Sequence, residues 1–223
     1  YNDMRSMPVV LPRLAIAFRK AYPKSELLLI DDGSTDGSRE WITDFAKGKP
    51  YMRVIMHKKN QGIAETYREL YREASGEVIV LFSLDGAWDP ADAVRLAKTL
   101  ITRKYDVVIG VRIYKQYTLW RRVISASYNM LTMGLFGVAT KDAGSIKAIR
   151  KTVISGIPII SRGVFDEAER IIRAHRSGCC IGFIDVHHKA AQKKRHGIRL
   201  SHVLEAFVDM FRVFVDLTFS NFV

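Results

Sequence analysis

Two carboxylates follow an apolar run near the middle of the chain, in the stretch LFSLDGAWDP at residues 81–90. Asp85 stands beside a glycine, and Asp89 comes four residues later. The preceding residues, 78–80, are typical of a buried strand. Mg²⁺ and Mn²⁺ take carboxylate oxygens as ligands, together with phosphate oxygens of a substrate and water. Asp85 is therefore a candidate ligand of a divalent cation, and Asp89 is a second one.

Polar side chains also follow three other apolar stretches. Asp31 and Asp32 open the turn DDGSTDGS, Lys59 and Asn60 come shortly after residues 52–57, and Arg112 follows residues 106–111. Asp, Gly and Ser are common in turns for local reasons, so the turn DDGSTDGS alone fits an ordinary strand-to-helix connection equally well. Taken together, the carboxylates and cations of these stretches suit a substrate that carries a diphosphate bridged by a divalent cation.

The elements that position these residues alternate along the chain. Apolar periodicity predicts helices at 12–21, 38–46, 64–74 and 90–103, and strands at 25–30, 52–57, 77–82 and 106–111. This alternation indicates an α/β fold with right-handed crossovers and a largely parallel sheet. Because ligands of such sheets bind at the carboxyl ends of the strands, the four strand ends form one candidate site.

Composition limits the possible classes of protein. The chain has 223 residues, 48% of them apolar, which suits one globular domain. Its formal charge of +12 favours anionic partners. The adjacent Cys179 and Cys180 exclude a disulfide framework and favour a reducing compartment. Neither GxGxxG nor GxxxxGK[ST] occurs, which argues against a dinucleotide oxidoreductase and a P-loop nucleotidase.

Two C-terminal stretches have surface character. HKAAQKKRHGIR at 188–199 is basic but lacks interleaved aromatic residues, so it fits a phosphate or lipid headgroup, or a solvated loop, better than nucleic acid. Within residues 201–223, Phe207, Phe211, Phe214 and Phe222 recur at roughly helical spacing beside charged residues. This pattern is equally consistent with a helix on a membrane surface and with core packing. No apolar run is long enough to span a membrane.

The motifs together resemble the inverting glycosyltransferases of the GT-A fold, family 2, and within them the dolichyl-phosphate mannose synthase-like branch of polyprenyl-phosphate glycosyltransferases. YND at the start resembles the family's YNE, LLLIDDGSTDGS its nucleotide-binding segment, and NQGIAET its NxGxxxA helix start. GEVIVLFSLDGAWDP is similar to GDVIVFLDADGQHDP, YDVVIGVR to YDVVIGSR, and DAGSIKAIRK to the D-x-x-SG-F-K-x-x-R region. The resemblance covers almost the whole chain in the family's order and spacing.

The resemblance implies roles for individual residues. The residues that match the family's donor-binding positions are Asp31, Asp32, Lys59, Asn60, Asp85, Asp142 and Ser145. Those that match its catalytic positions are Asp85, Arg112, Arg121 and Ser125. Those that match the acceptor-phosphate positions are Arg121, Ser125 and Lys194. The implied metal is Mg²⁺ or Mn²⁺, held by Asp85 with Asp89 as a further ligand.

The chain departs from the family pattern in two places that matter. Ser83 replaces the first carboxylate of the family's DxD motif, so we expect a weaker hold on the metal, a shifted donor or metal requirement, or a protein without turnover. The hydrophobic strand that precedes YNE in the family has no counterpart ahead of Tyr1. The expected domain is therefore a GT-A glycosyltransferase domain over 1–200 with its first strand missing, followed by an amphipathic helix over 201–223.

The resemblance implies a function and a fold. The fold is the Rossmann-like GT-A fold of nucleotide-diphospho-sugar transferases, with a largely parallel mixed sheet flanked by helices. The function is transfer of a hexose, with inversion, from GDP-mannose or a UDP-sugar to polyprenyl or dolichyl phosphate. We expect an enzyme peripheral on the cytoplasmic face of a membrane, with no nucleic acid partner.

Two alternatives remain open. One is transfer to a saccharide hydroxyl, which needs a carboxylate base, and FDEAER offers Asp166, Glu167 and Glu169. A solvated helix start is the expected reading of that stretch. The other alternative is a degenerate module that binds a nucleotide sugar without turnover.

Overall fold

The computed structural model describes residues 1–113, 119–138, 140–163, 165–189 and 200–219, without the side chains of 119–124 and 200–202. Strands alternate with helices over the first half, as predicted. The strands are β1 Leu27–Asp31, β2 Met52–Met56, β3 Val78–Leu81, β4 Val107–Arg112, β5 Lys147–Arg150 and β6 Ile181–Val186. The helices are α1 Met7–Ala21, α2 Ser38–Ala46, α3 Ile63–Glu73, α4 Pro90–Thr102, α5 Leu119–Phe136, α6 Lys151–Gly156, α7 Asp166–Arg176 and α8 Leu200–Phe219.

The strands form two hydrogen-bonded sheets. β1 pairs with β2 in parallel, and the other four strands have the order β3-β5-β4-β6. β5 runs antiparallel to both β3 and β4, whereas β4 and β6 are parallel. The architecture is thus α/β with a mixed sheet, as predicted. The antiparallel strand is β5. It has only four residues, KAIR, which are too few to show a strand pattern in the sequence.

Helices cover both faces of the larger sheet. On one face, Leu96 and Leu100 of α4 pack against Val108 of β4. On the other face, Tyr71 of α3 packs with the neighbouring β4 residue Val107. Successive side chains of a strand point to opposite faces, so the buried part of β4, Val107 to Ile109, is apolar at every position between two helical layers.

A cavity of about 620 Å³ separates β1 from β3. The residues of both strands line it, and within the described chain neither facing edge has a strand partner. Ser75 N donates to Glu26 Oε1 at 2.5 Å, so the two strands begin side by side. Tyr1 lines the same cavity near the opposite ends of the strands. The gap therefore separates two strand edges that are unpaired within the described residues, and the predicted missing strand stays a prediction.

The N-terminal segment closes over the first predicted turn. Asn2 N donates to Ser34 Oγ at 2.9 Å, and Thr35 N donates to Asn2 Oδ1 at 2.8 Å. Ser6 Oγ donates to the carbonyl oxygen of Leu84 at 2.7 Å. These bonds tie the loop after β1 to the loop after β3 across the mouth of the cavity.

The α7 and α8 helices pack with α5 around a separate apolar cluster. Phe165 and Ile172 pack with Phe136 of α5 and with Met210 and Val213 of α8. The predicted C-terminal helix is present as α8 over Leu200–Phe219, and residues 220–223 of the prediction lie outside the described residues. None of the helices in the described ranges has the length and apolar content needed to cross a bilayer.

Candidate functional site

Four of the predicted donor-binding residues line the cavity between β1 and β3. They are Asp31, Asp32, Asn60 and Asp85. Asp31 is the last residue of β1, and Asp85 lies four residues beyond β3. The carboxyl ends of these two strands therefore bring together carboxylates that are far apart in the sequence.

Backbone and guanidinium donors hold Asp31. Its Oδ2 accepts from Ser34 N at 3.1 Å and from Arg39 Nε at 3.2 Å. Gly33, which precedes Ser34, has a φ of +75°, and a Cβ there would lie 2.7 Å from Asn60 N. Only glycine permits both this backbone conformation and the close approach of the next loop. The glycine of DDGS thus allows the loops after β1 and β2 to meet.

Asp32 is the more heavily hydrogen-bonded of the pair. Its Oδ1 accepts from Gln61 N at 2.8 Å, and its Oδ2 accepts from Gly62 N at 3.0 Å. Asn60 Nδ2 donates to the carbonyl oxygen of Asp32 at 3.2 Å. The turn NQG after β2 therefore orients Asp32, which gives Asn60 a supporting role in this site.

Two residues that the sequence did not single out complete this region. His57 Nδ1 lies 2.8 Å from Asp32 Oδ1, and His57 Nε2 lies 2.5 Å from Glu69 Oε2. The available signal was register: His57 directly follows β2, and its N donates to the carbonyl oxygen of Asp31, which places it beside the carboxylate pair. Glu69 gave no such signal, because its approach depends on how α3 packs.

Asp85 is buried at the cavity wall. Its Oδ1 accepts from Ala87 N at 3.0 Å, and Gly86 between them has a φ of +79°. Ser83 lines the same cavity. This donor set offers one carboxylate and one hydroxyl. It fits a Mg²⁺ or Mn²⁺ ion that takes its other ligands from substrate phosphates and water.

Asp89 lies outside that cavity and has a structural contact. Its Oδ1 accepts from Ala91 N at 2.9 Å, which caps the start of α4. Its Oδ2 lies 3.8 Å from Arg13 Nη2. Among the described residues, no group of three or more His, Cys, Asp or Glu side chains is arranged to hold a metal. The role of Asp89 as a metal ligand stays a prediction.

Arg112 forms an ion pair with Asp142 and donates to both of its carboxylate oxygens. Arg112 donates from Nε at 3.1 Å and from Nη2 at 2.6 Å to Asp142 Oδ1, and its backbone N donates to Oδ2 at 2.9 Å. Asp142 adopts a left-handed backbone with a φ of 52°, which aspartate tolerates better than most residues. A residue predicted for a catalytic position and one predicted for a donor-binding position therefore bind each other, beside the buried Ser145.

The remaining predicted residues are dispersed. Lys59 is exposed and does not line the cavity. Ser125 lies half-buried on α5, where its carbonyl oxygen accepts from Asn129 Nδ2 at 2.9 Å. The side chain of Arg121 and the whole of Lys194 lie outside the described residues. The predicted acceptor-phosphate contacts thus stay predictions.

The acidic start of α7 is buried, so the expectation of a solvated helix start was wrong. Glu167 accepts from Lys147 Nζ and, at 3.1 Å, from Tyr71 Oη. Glu169 accepts from Ser161 N at 2.8 Å and from Arg173 Nε at 2.7 Å. Both carboxylates serve a buried polar network rather than an open site.

Asp166 differs from its neighbours in protonation. Burial, and after it the charge of Glu167, raise the pKa of Asp166 to about 7, against the opposing charges of Arg170, Arg68 and Lys147. Its Oδ2 is buried without a hydrogen-bond partner in the described structure. At neutral pH this carboxyl is therefore partly protonated.

Comparison with known proteins decides the family. The profile of glycosyl transferase family 2 matches residues 4–168. The chain belongs to glycosyl transferase family 2. This match includes both carboxylate turns, Arg112 and the buried start of α7, so the predicted family is confirmed.

Curated relatives match about 70% of the chain. It is 30% identical over 159 residues to the undecaprenyl-phosphate 4-deoxy-4-formamido-L-arabinose transferase of Pectobacterium atrosepticum, covering 70% of this chain and 48% of that protein. It is 31% identical over 160 residues to the transferase of the same name from Pseudomonas savastanoi, covering 70% and 47%. The chain spans about half the length of the curated relatives it matches.

Solved structures share the fold. One is the mannosyltransferase PcManGT of Pyrobaculum calidifontis in complex with GDP-Man and Mn²⁺. The superposition covers 93% of this chain and 61% of the mannosyltransferase chain, with a TM-score of 0.63 and 20% sequence identity. Glucosyl-3-phosphoglycerate synthase of Mycobacterium tuberculosis, in complex with Mg²⁺ and UDP, matches 95% and 75%, with a TM-score of 0.71 and 16% identity. The predicted GT-A fold is confirmed.

Proposed function

We propose that the chain transfers a sugar from a nucleoside diphosphate donor to a polyprenyl phosphate. The observation that carries this proposal is the convergence of Asp31, Asp32 and Asp85 on one cavity at the carboxyl ends of two strands. The curated relatives support the acceptor, because their names specify undecaprenyl phosphate. The structural neighbours support the donor, since they hold GDP-Man or UDP.

The site residues divide the work by position. Asp31 and Asp32 orient the nucleoside, because backbone donors fix both carboxylates at the end of β1. Asp85 would hold Mg²⁺ or Mn²⁺ together with the donor's diphosphate. Such an ion, when bound, neutralises negative charge that develops on the leaving group. With Ser83 as its neighbour in place of a second carboxylate, Asp85 leaves more of the coordination to the donor.

A phosphate acceptor suits the groups that the described site contains. A phosphate oxygen is already ionised, so it attacks without a general base. The new bond joins this oxygen to the anomeric carbon while the bond from that carbon to the diphosphate oxygen breaks. The leaving nucleoside diphosphate keeps the electron pair, and attack from the opposite side inverts the configuration. No proton moves, so positioning and charge neutralisation supply the catalysis.

Transfer to a saccharide hydroxyl is the weaker candidate. It requires a carboxylate to take the hydroxyl proton. Asp166, Glu167 and Glu169 are all buried, and the last two are bound within the protein. The acidic stretch that the sequence offered as a base is therefore not accessible to such an acceptor.

A membrane surface is the proposed location of the acceptor. On α8, an exposed apolar stripe runs along one face, at Leu204, Phe207, Val208, Phe211, Val215 and Phe219. On α5, which contacts α8, Met130, Leu131 and Met133 are exposed as well. An apolar stripe on an otherwise charged helix suits insertion into the boundary of a lipid layer. We infer peripheral binding to the cytoplasmic face, where the nucleotide sugar is available.

The experiment is a transfer assay with the chain as described, using radiolabelled GDP-mannose and a panel of UDP-sugars. Each donor is tested with undecaprenyl phosphate, with dolichyl phosphate, and with neither, in Mg²⁺, in Mn²⁺ and in chelator. We expect label in the lipid fraction with one donor. Label on a free saccharide alone would favour the hydroxyl acceptor. Saturable nucleotide binding without product would favour a binding module and contradict the proposal.

A further inference from the structure

His57 lies at the end of β2 between two carboxylates. Its Nδ1 is 2.8 Å from Asp32 Oδ1, its Nε2 is 2.5 Å from Glu69 Oε2, and its side chain is 4% exposed. An ionised carboxylate only accepts hydrogen bonds, so a ring held between two of them donates from both nitrogens. With both carboxylates ionised, this geometry favours the imidazolium form, which carries a proton on each nitrogen.

The hydrogen-bond inventory of Asp32 shows what this ring does. A carboxylate offers roughly four acceptor positions. His57 and Gln61 N occupy two on Oδ1, and Gly62 N occupies one on Oδ2. Asp32 also lines the cavity at the carboxyl ends of the strands. Fixed on three sides, its carboxylate presents the remaining acceptor position in one orientation.

We propose that His57, in its doubly protonated form, is a positioning residue that fixes the Asp32 carboxylate for the nucleoside of the donor and makes nucleotide binding depend on pH. This role rests on the proposed donor site. It lies beyond the contacts of the donor itself, because Asp32 stands between His57 and the cavity. Glu69 on α3 completes the device by holding the far side of the ring.

The neighbouring charges favour the charged ring and offer no substitute for it. Burial lowers the pKa of His57, but the hydrogen bonds and charges of Asp32 and Glu69 together raise it above its ordinary value. Arg39 on α2 donates to the carbonyl oxygen of His57, and its Nε binds Asp31 instead of Asp32. Arg72 on α3 lies 3.4 Å from the other oxygen of Glu69.

The direction of the pH effect follows from these contacts. Below the raised pKa, the ring donates to both carboxylates. As the pH rises through it, one ring nitrogen loses its proton and turns a lone pair toward a carboxylate. Asp32 then loses the positive charge of the ring beside it, and two backbone donors, Gln61 N and Gly62 N, are left to orient its carboxylate. Nucleotide affinity should therefore fall by about tenfold across this transition, since each pKa unit of coupling is a tenfold change.

The test combines NMR of the His57 ring with calorimetry of GDP and UDP binding in Mg²⁺, from pH 6 to 9. In the unaltered chain we expect affinity to fall as the ring loses its proton, and bound nucleotide to raise the ring's pKa by the reciprocal amount. Glu69→Gln, which lies away from the cavity, should shift both transitions to lower pH. His57→Gln should bind about tenfold more weakly at pH 6 and show no transition.

The control variant is His175→Gln, because His175 is exposed near the end of α7. It should match the unaltered chain throughout. If His57→Gln does not fold, the shift in Glu69→Gln still decides. Nucleotide binding with a pH profile that neither variant changes would overturn the role of His57 alone. Absence of binding of both nucleotides at every pH would overturn the donor site as well.

Discussion

Replacing Asp166 by asparagine should make the protein more stable at pH 8 than the unaltered chain. The Asp166 carboxyl is buried at the start of α7, and its pKa is raised from 3.8 to about 7. In the unfolded chain this carboxyl loses its proton near its ordinary pKa. Between about pH 4 and 7 the unfolded state therefore binds fewer protons, and the free energy of unfolding falls as the pH rises.

The pKa shift sets the size of the effect. A rise of about 3 units, at 1.36 kcal/mol per unit, gives an upper bound of about 4 kcal/mol lost by pH 8. Asparagine has nearly the same shape and never ionises. Asp166→Asn should therefore differ from the unaltered chain by about 1 kcal/mol or less at pH 4.5, and gain up to about 4 kcal/mol over it at pH 8.

Urea unfolding followed by circular dichroism at the two pH values measures this difference. The matched control is Asp44→Asn, since Asp44 is 72% exposed and pairs only with an exposed lysine. Its effect should stay within about 0.5 kcal/mol at both pH values. An equal effect of Asp166→Asn at pH 4.5 and pH 8 would refute the reasoning, because it would mean that Arg170 and Lys147 keep Asp166 ionised throughout.

Three other predictions concern the donor, the membrane and the cavity. Asp85→Asn should weaken Mn²⁺-dependent nucleotide binding at least about 100-fold in calorimetry. Asp89→Asn keeps the helix cap and should bind the nucleotide normally. Equal losses of affinity in the two variants would make Asp89 a metal ligand too. Phe211→Ser should reduce binding to vesicles with anionic lipid about tenfold. The control Ile16→Ser should not, although Ile16 is 68% exposed and Phe211 67%. Equal effects of the two changes would place the membrane contact elsewhere. Fusing an apolar, β-branched segment of about six residues ahead of Tyr1 should raise Tm by at least about 4 °C, because the segment would pair with β1 and β3. A central proline in that segment should abolish the gain. No difference in Tm between the two fusions would show that the gap does not take a strand.

The sequence predicted the strand-helix alternation well because local signals mark it. Ser38–Ala46 begins and ends as predicted, after a turn rich in Asp, Gly and Ser. The first helix begins five residues before the predicted start at 12. The predicted helix started at Pro12, but Pro8 lies in the first turn and Pro12 lies inside α1. Single-residue signals place a boundary only when one candidate is present.

The candidate site was predictable to the extent that it lies at strand ends. Ligands of α/β sheets bind at the strand ends, so the sequence predicted that Asp31, Asp32 and Asp85 share one site, and they line one cavity. The sequence could not reveal that Arg112 would bind Asp142, or that Glu69 would reach His57, since those pairs depend on packing between distant elements. Burial of the α7 carboxylates escaped prediction for the same reason, because charge normally indicates exposure.

The gap between β1 and β3 divides the backbone hydrogen-bond network into two parts of unequal strength. A two-stranded sheet is marginal by itself, so β1 and β2 depend on the packing of α1 and α2. Amide hydrogen exchange should therefore be faster in β2 than in β4, which is paired on both sides. Asp31 and Asp32 belong to the weaker part and Asp85 to the stronger one. A bound nucleotide that contacts both parts would slow the exchange of β1 amides. The donor would thus couple the local opening of the two parts.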